Sequence, residues 1–204
     1  MTKILQRLAE KELITPPKFL IPNTQYLVTT GSIAYGVSSD NSDLDLVGFT
    51  IPPKDFIFPH LRGIIPGFGT QIQNFDQFMK HGVFDKDARG GKGQTYDMNV
   101  YNIIKYFQLC MMNNPNMLDT LFVPFNCVQQ STAIGTMVRV NRKIFLHKGA
   151  FQRMKGYAFS MIQKLETKES KGLNDLRSFE RKYALPNTTT LEMVKNEMKK
   201  RNLS

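Results

Sequence analysis

The most restrictive feature of this 204-residue chain is the segment from Gly31 to Asp45, with the sequence GSIAYGVSSDNSDLD. A β-branched run at Tyr26–Thr30 ends at the Gly-Ser pair, and a short turn then leads to a second apolar run that Pro52 closes. Glycine and serine after a strand let the backbone approach a ligand closely and direct N–H groups towards phosphate oxygens. The segment therefore predicts two strands joined by a turn that can hold phosphate.

Two aspartates stand at the start of the second apolar run. Asp43 and Asp45 are two residues apart, and in a strand such residues project from the same face. Neighbouring carboxylates repel each other, so a cation between them would stabilise the pair, and a divalent metal is the simplest candidate. A solvated strand edge or a turn also accommodates an Asp-x-Asp sequence, and this alternative stays open for the pair alone.

A third carboxylate is predicted on a later strand. The sequence QTYDMNVY at residues 94–101 alternates apolar and polar side chains, which indicates a strand with Asp97 on the polar face. With Asp43 and Asp45, this residue would complete a two-metal site, in which one ion activates the attacking hydroxyl and the other stabilises the leaving oxygen. A polar residue on an edge strand is the alternative interpretation of Asp97.

Turn signals and helical periodicity divide the chain into an N-terminal helix with its lead-in, a core, and a basic helical region: residues 1–24, 25–138 and 139–204. Within the core, Asn102–Met112 and a shorter stretch around 117–122 have the apolar spacing of helices. Beyond Asn141 the pattern predicts a helix at about 151–166, a break at 167–172 and shorter helices to the end. The chain is therefore predicted to mix strands and helices and to end in helices.

Residues 54–93 lack a regular apolar pattern and contain seven glycines. A stretch of this length without periodicity predicts a long insertion in the core. Its last part, Arg89–Gly93, is glycine-rich and basic but lacks the spacing of a P-loop and a following helix. An ordinary hairpin turn is therefore favoured there over a loop that closes over triphosphate or RNA.

The formal net charge of +10 arises in the last third of the chain. Residues 139–204 hold 16 of the 27 Lys and Arg but only 6 of the 17 Asp and Glu, whereas residues 1–138 are balanced. This asymmetry predicts a polyanionic partner, and a solvated helical face is the alternative.

The composition predicts a cytoplasmic protein without a membrane segment. No window of the sequence approaches an apolar spanning helix, and the N-terminus lacks the apolar stretch of a signal peptide. Cys110 and Cys127 lack metal-ligand spacing, which favours reduced thiols in the core.

The motifs at Gly31-Ser32 and Ser42-Asp43-Leu44-Asp45 resemble the hG[GS]…DxD signature of the DNA polymerase β-like nucleotidyltransferases. The longer sequence GSIAYGVSSDNSDLDLVGFTIPP is similar to one branch of them, the predicted nucleotidyltransferases of the RNA-repair-pathway DNA polymerase beta family. The similarity continues in YDMNVYNIIKYFQLCMMNNPNMLDTLF and, more weakly, in HKGAFQRMKGYAFSMIQKL. It covers the chain from about Tyr26 to Leu165.

The resemblance implies an α+β fold with a polymerase β-like core, in which helices flank a small mixed or antiparallel sheet, and a helical C-terminal part. The catalytic and metal-binding residues that it implies are Asp43, Asp45 and Asp97. The nucleotide-binding residues that it implies are Gly31, Ser32, Tyr35 and Ser42. The implied cofactor is Mg²⁺, as two ions, with Mn²⁺ as a substitute.

These observations predict an enzyme that moves NMP from an NTP to a hydroxyl acceptor and releases pyrophosphate. RNA is the favoured acceptor because the C-terminal third is basic. Two alternatives stay open: NMP transfer to a protein or small molecule, as in toxin–antitoxin or antibiotic-modifying relatives, and a non-catalytic nucleotide- or RNA-binding module with the same fold.

Overall fold

The computed structural model describes residues 4–37, 42–63 and 74–164 of the chain. The protein forms two compact units, Met1–Arg153 and Met154–Ser204. Residues 149–164 are helical, in the place where the sequence predicts a helix. The predicted break at 167–172 and the shorter helices after it lie outside the described residues. The domain boundaries proposed after residues 24 and 138 stay predictions.

A five-stranded sheet with the order β3-β4-β2-β1-β5 forms the centre of the first unit. Its strands are β1 (Thr24–Thr30), β2 (Leu44–Thr50), β3 (Gln77–Asp85), β4 (Gln94–Asn102) and β5 (Val128–Ser131). Strands β2 and β4 pair in parallel, and the other neighbours are antiparallel. The mixed sheet with flanking helices confirms the predicted α+β fold, and three of its strands lie where the sequence predicts them.

Short helices connect and flank the strands. They are α1 (Ile4–Glu10), α2 (Leu20–Asn23), α3 (Gly31–Ala34), α4 (Lys54–Ile57), α5 (Ala88–Gly91), α6 (Ile103–Met111), α7 (Pro115–Phe122) and α8 (Ala133–Val140), with 3₁₀ turns at Pro59–Arg62, Phe125–Cys127 and Arg142–Phe145. Polar caps start the three longer helices after β4: the side-chain oxygens of Asn102, Asn114 and Thr132 each accept a backbone N–H of the first turn. The helices predicted over Asn102–Met112 and 117–122 are thus confirmed.

One face of the sheet packs against the N-terminal part of the chain. The buried cluster there joins side chains of α1 and α2 to the inward-facing residues of four strands: Leu5, Leu8, Ile14, Leu20, Leu27, Leu46, Phe78, Tyr96, Met98 and Val100. Tyr96, Met98 and Val100 alternate along β4 with half-buried neighbours. The period-2 pattern of the sequence therefore placed Asp97 correctly on the opposite face.

The opposite face is covered by aromatic side chains. The centroid of the Phe49 ring on β2 lies 4.8 Å from that of Tyr106 on α6 and 6.0 Å from that of Tyr26 on β1, with the rings tilted against each other. Tyr26 donates its hydroxyl to the carbonyl of Thr120 on α7, at 2.9 Å. Asp45 lies on the same face of β2 as Phe49, four residues and about 13 Å nearer its beginning. The helices thus pack against the part of this face that contains Phe49, and Asp45 lies at the other end of β2.

Segment 54–93 is more regular than its sequence suggested, because it contains β3. This strand lies at the edge of the sheet, and most of its residues are exposed. For that reason it has no apolar alternation, and it was not predicted from the sequence. Its hairpin with β4 turns through Ala88–Gly91, which confirms the predicted hairpin turn.

Two further expectations can be compared with the described residues. No helix among them is both long and apolar enough to cross a membrane. Cys110 and Cys127 lie buried and are not joined in a disulfide, as predicted for core thiols. Burial raises the pKa of the Cys110 thiol to about 12.

Candidate active site

The parallel pairing of β2 and β4 brings two predicted acids together. Asp45 is the register partner of Asp97, and Thr30, the last residue of β1, is the antiparallel partner of Asp45. Paired residues on neighbouring strands have their Cβ atoms about 5 Å apart and share a face. Two carboxylates that lie 52 residues apart in the sequence are therefore neighbours, next to the start of the Gly31–Ala34 turn.

The electrostatics of Asp45 reflect this crowding. Burial raises the pKa of the Asp45 carboxyl, and the nearby charges of Asp97 and Asp43 raise it further, while His81 acts in the opposite direction. Asp43 precedes β2 by one residue and is exposed. The three predicted acids thus interact, and the ionised form of the central one is disfavoured unless a cation compensates it.

A β-bulge holds the Asp97 carboxylate. Between Lys80 and Val83 the register of β3 shifts, so that two residues, His81 and Gly82, lie opposite Asp97. The Gly82 backbone N–H donates to Asp97 Oδ1 at 2.7 Å, and His81 Nδ1 lies 3.1 Å from Asp97 Oδ2. Gly82 has a φ of 64°, a left-handed conformation that glycine adopts freely. The bulge therefore directs a backbone donor at the third acid.

Gly31 lies directly against Asp45. Its φ is 68°, and a Cβ atom at this position would come 2.1 Å from Asp45 Oδ2. Only a residue without a side chain fits this approach. The predicted role of Gly31 in a close turn is consistent with this geometry, and the turn starts where β1 leaves the sheet beside β2.

The other predicted nucleotide-binding residues lie on both sides of the acids. Ser32 is in the α3 turn. Tyr35 directly follows α3, and its hydroxyl donates to a carboxylate oxygen of Asp119 on α7. Ser42 directly precedes Asp43, and its carbonyl accepts the Gln94 amide Nε2–H at 2.9 Å. The structure therefore anchors the α3 turn to α7 and anchors the approach to β2 to the start of β4.

A ready-made metal cluster does not form among these side chains. Within the residues that the structure describes, no group of three or more His, Cys, Asp or Glu side chains could hold a metal ion. Both oxygens of Asp97 already contact protein groups. The acids nevertheless offer an oxygen-only donor set with a raised carboxyl pKa at its centre, which fits a hard divalent cation.

Three contact residues of the site were not predicted from the sequence: His81 and Gly82, which contact Asp97, and Asp119, which accepts the Tyr35 hydroxyl. His81 and Gly82 lie in the unrecognised strand β3, and Asp119 lies on a helix that was predicted from its apolar face. The glycine-rich turn before β4 was the available signal for β3, since such turns join adjacent antiparallel strands. The partner of Tyr35 had no local signal, because 84 residues separate it from Asp119.

A mixed sheet with acids on neighbouring strands, placed directly after a Gly-Ser turn, defines a polymerase β-like core. Comparison with protein-family models agrees with this class. The model of the RNA repair pathway DNA polymerase beta family matches residues 2–177, and the chain belongs to that family. No curated protein and no solved structure matches the chain significantly.

Proposed function

We propose that the protein is a Mg²⁺-dependent nucleotidyltransferase that transfers NMP from an NTP to a hydroxyl group of RNA and releases pyrophosphate. The observation that carries this proposal is the parallel register of Asp45 and Asp97, with the Gly31 turn seated against Asp45. Membership of a polymerase β family assigned to RNA repair supports the same class of reaction.

The metal ligands in this proposal are Asp43, Asp45 and Asp97. Carboxylates are suitable ligands for Mg²⁺ and also for Mn²⁺, which prefers the same oxygen donors. The raised pKa of Asp45 means that its negative charge lacks compensation, which a divalent cation would supply. When bound, the metal would lower the pKa of the attacking hydroxyl and offset charge on the phosphates.

The chain itself would contribute position and hydrogen-bond donors. The first N–H groups of a helical turn have no partner within the turn, so those at Gly31 and Ser32 are suited to the triphosphate. The contact of Tyr35 with Asp119 would hold this turn in place. The Gly82 N–H would keep Asp97 oriented, and a cation there would compete with His81 for Oδ2. Catalysis of phosphoryl transfer depends mainly on such positioning.

Charge supports RNA as the acceptor. The basic residues of the described C-terminal part differ in exposure, and Arg142 is half-buried and donates to the Arg139 carbonyl at 2.9 Å. Arg139 is buried and donates to the Val123 carbonyl at 2.5 Å and to the Tyr26 hydroxyl at 2.9 Å, so it stabilises the fold. The exposed group is available to a polyanion: Lys143, Lys148, Arg153, Lys155 and Lys164. Contacts of this kind predict affinity for RNA that falls steeply with salt.

Transfer of label tests the proposal. The wild-type protein is incubated with each α-³²P-NTP, a pool of RNA, and Mg²⁺, Mn²⁺ or EDTA, beside Asp45→Asn and Asp97→Asn. Asp76→Asn is the matched control. It removes the same single negative charge, but from an exposed side chain in the loop before β3. Label should appear on RNA only with metal, and only with the wild-type and control proteins.

Two other outcomes would identify the alternatives. Label on the protein itself would assign NMP transfer to a protein side chain. Metal-dependent nucleotide binding without transfer would assign a non-catalytic module, for which the engagement of both Asp97 oxygens is the relevant observation. Label on RNA with the Asp45→Asn and wild-type proteins alike would overturn the assigned site.

A further inference from the structure

A basic cleft opens beside the acids. It has a volume of about 240 Å³ and lies between the β3–β4 turn and the residue that precedes Asp43. Its lining residues are Ser42, Phe84, Arg89, Lys92, Gly93, Gln94 and Thr95. Two of these seven residues are cationic, one is aromatic, and none is acidic.

The cleft lies on the same sheet face as the acids. Thr95 is two residues before Asp97 on β4, which places the two side chains on one face and about 7 Å apart. Phe84 is the register partner of Thr95 and shares that face. The bond from Gln94 to the Ser42 carbonyl joins the two walls of the cleft. A ligand in the cleft would therefore lie next to the carboxylates.

The cleft and the Gly31–Ser32 turn flank the acids from opposite sides. In the sheet, β1 and the turn lie on one side of β2, whereas β4 and β3 lie on the other. In the proposed reaction the triphosphate occupies the turn. The Asp97 side, where the cleft opens, is then left for the molecule that carries the attacking hydroxyl.

The lining chemistry selects a nucleotide unit. Arg89 and Lys92 are exposed cations at the rim, and the tight turn that carries them is closed by the Gly93 N–H bonded to the Ala88 carbonyl at 3.1 Å. The Phe84 ring is 58% exposed beside them. Cations suit phosphate, and an exposed aromatic ring suits stacking with an unpaired base. Unpaired bases occur in single strands, where stacking is not satisfied by a helix.

We infer that this cleft binds the terminal nucleotides of a single-stranded RNA acceptor, with phosphate at Arg89 and Lys92 and a base on Phe84. The inference rests on the proposed function, because it assigns the RNA acceptor to one side of the same candidate site. It concerns binding, however, and can be measured without turnover.

Binding of a fluorescein-labelled single-stranded RNA octamer with a free 3′ end is measured by fluorescence anisotropy in EDTA, over a range of salt concentrations. The test variant is Arg89→Asn/Lys92→Gln, in which asparagine tolerates the left-handed backbone of Arg89 at a φ of 56°. The matched control is Lys18→Gln/Lys54→Gln, which removes the same charge from exposed positions outside the cleft. Phe84→Leu tests stacking, and Phe84→Tyr should restore it.

The test variant should bind RNA roughly tenfold more weakly than the control. Two lost phosphate contacts should also reduce the salt slope by about 1.4. Phe84→Leu should weaken binding about tenfold, whereas Phe84→Tyr should retain it. A fluorescent ATP analogue with Mg²⁺, measured in parallel, should bind all variants alike.

Equal RNA binding by the test and control variants would overturn the inference, as would a wild-type protein that does not bind the octamer. Loss of ATP-analogue binding alone would assign the cleft to the incoming nucleotide and would also overturn it. If RNA binding depends on the cleft but no label is transferred, the inference stands and the proposed function fails. If transfer to RNA survives in the test variant with unchanged affinity, the function stands and the inference fails.

Discussion

Replacing Gly31 by alanine is the most informative single change in this protein. The new Cβ atom would lie 2.1 Å from Asp45 Oδ2 and 3.2 Å from Asp45 Cγ. Ordinary contacts between such atoms are about 3.5 Å, so the carboxylate must move by more than about 1 Å. Because Asp45 is a metal ligand in the proposed function, a displacement of that size should lower turnover about 100-fold.

The effect on stability is smaller than the effect on activity. Alanine in the left-handed conformation at φ 68° costs about 1–2 kcal/mol. The carboxylate is the end of a rotatable side chain, so its displacement adds less than a backbone clash would. We expect Tm to fall by about 2–4 °C per kcal/mol lost for a chain of this size.

Gly36→Ala separates the two contributions. Gly36 has nearly the same φ, 70°, but apart from its chain neighbours no atom of the described residues lies within 4 Å of a Cβ placed there. This control should lose only the conformational part of that cost, and therefore somewhat less stability than Gly31→Ala, and it should keep its activity. Both free energies of unfolding are measured by urea denaturation followed by circular dichroism, and transfer is measured with labelled NTP.

Asp45→Ala supplies a second comparison for the stability term. This substitution removes Asp45 Oδ2 and Cγ, the two atoms that a Cβ at position 31 would crowd. The remaining Cβ at position 45 would lie 3.7 Å from the new Cβ, which is an ordinary contact. In this background, Gly31→Ala should cost no more than Gly36→Ala does. The reasoning would be refuted if Gly31→Ala and Gly36→Ala changed turnover equally, or if the cost of Gly31→Ala were the same with and without the Asp45 carboxylate.

Three further predictions concern ionisation. Asp45→Asn should raise Tm in EDTA at pH 7, and this gain should vanish near pH 4. The reason is that the pKa of the Asp45 carboxyl is raised in the folded protein, so its ionisation removes stability as the pH rises. A lower Tm of the variant at both pH values would contradict this. Asp85→Asn should lower Tm at pH 7 but little at pH 3, because the bond from Lys11, at 2.6 Å, lowers the pKa of the Asp85 carboxyl. Native Cys110, whose pKa is about 12, should resist iodoacetamide at pH 8 and react after denaturation in urea, as mass spectrometry would show.

Much of the fold was predictable because its signals are local. The alternation along β4 placed Asp97 on the face opposite the buried Tyr96 and Met98, and apolar spacing located α6 and α7, whereas α8 was not predicted. β3 and β5 were not predicted. β3 is an exposed edge strand, and β5 has only four residues, so neither contains enough apolar alternation to be recognised.

The candidate site likewise combines features that can be seen in the sequence with features that only the structure shows. The Gly-Ser turn and the spacing of Asp43 and Asp45 can be seen in 15 consecutive residues of the sequence. The engagement of Asp97 by His81 and Gly82 depends on a bulge in a strand that the sequence did not reveal. The basic cleft likewise exists only because a hairpin turn comes to lie beside the approach to β2.

The sequence by itself therefore determined the local placement of the candidate residues: a close turn at Gly31 and acids on the polar faces of two strands. Local periodicity and conformational preference suffice for this, because both act between near neighbours in the chain. Only the tertiary structure decided that β2 pairs in parallel with β4, which makes Asp45 the partner of Asp97. That register depends on hydrogen bonds and burial between segments 52 residues apart, and a one-residue slip would have turned the acids to opposite faces.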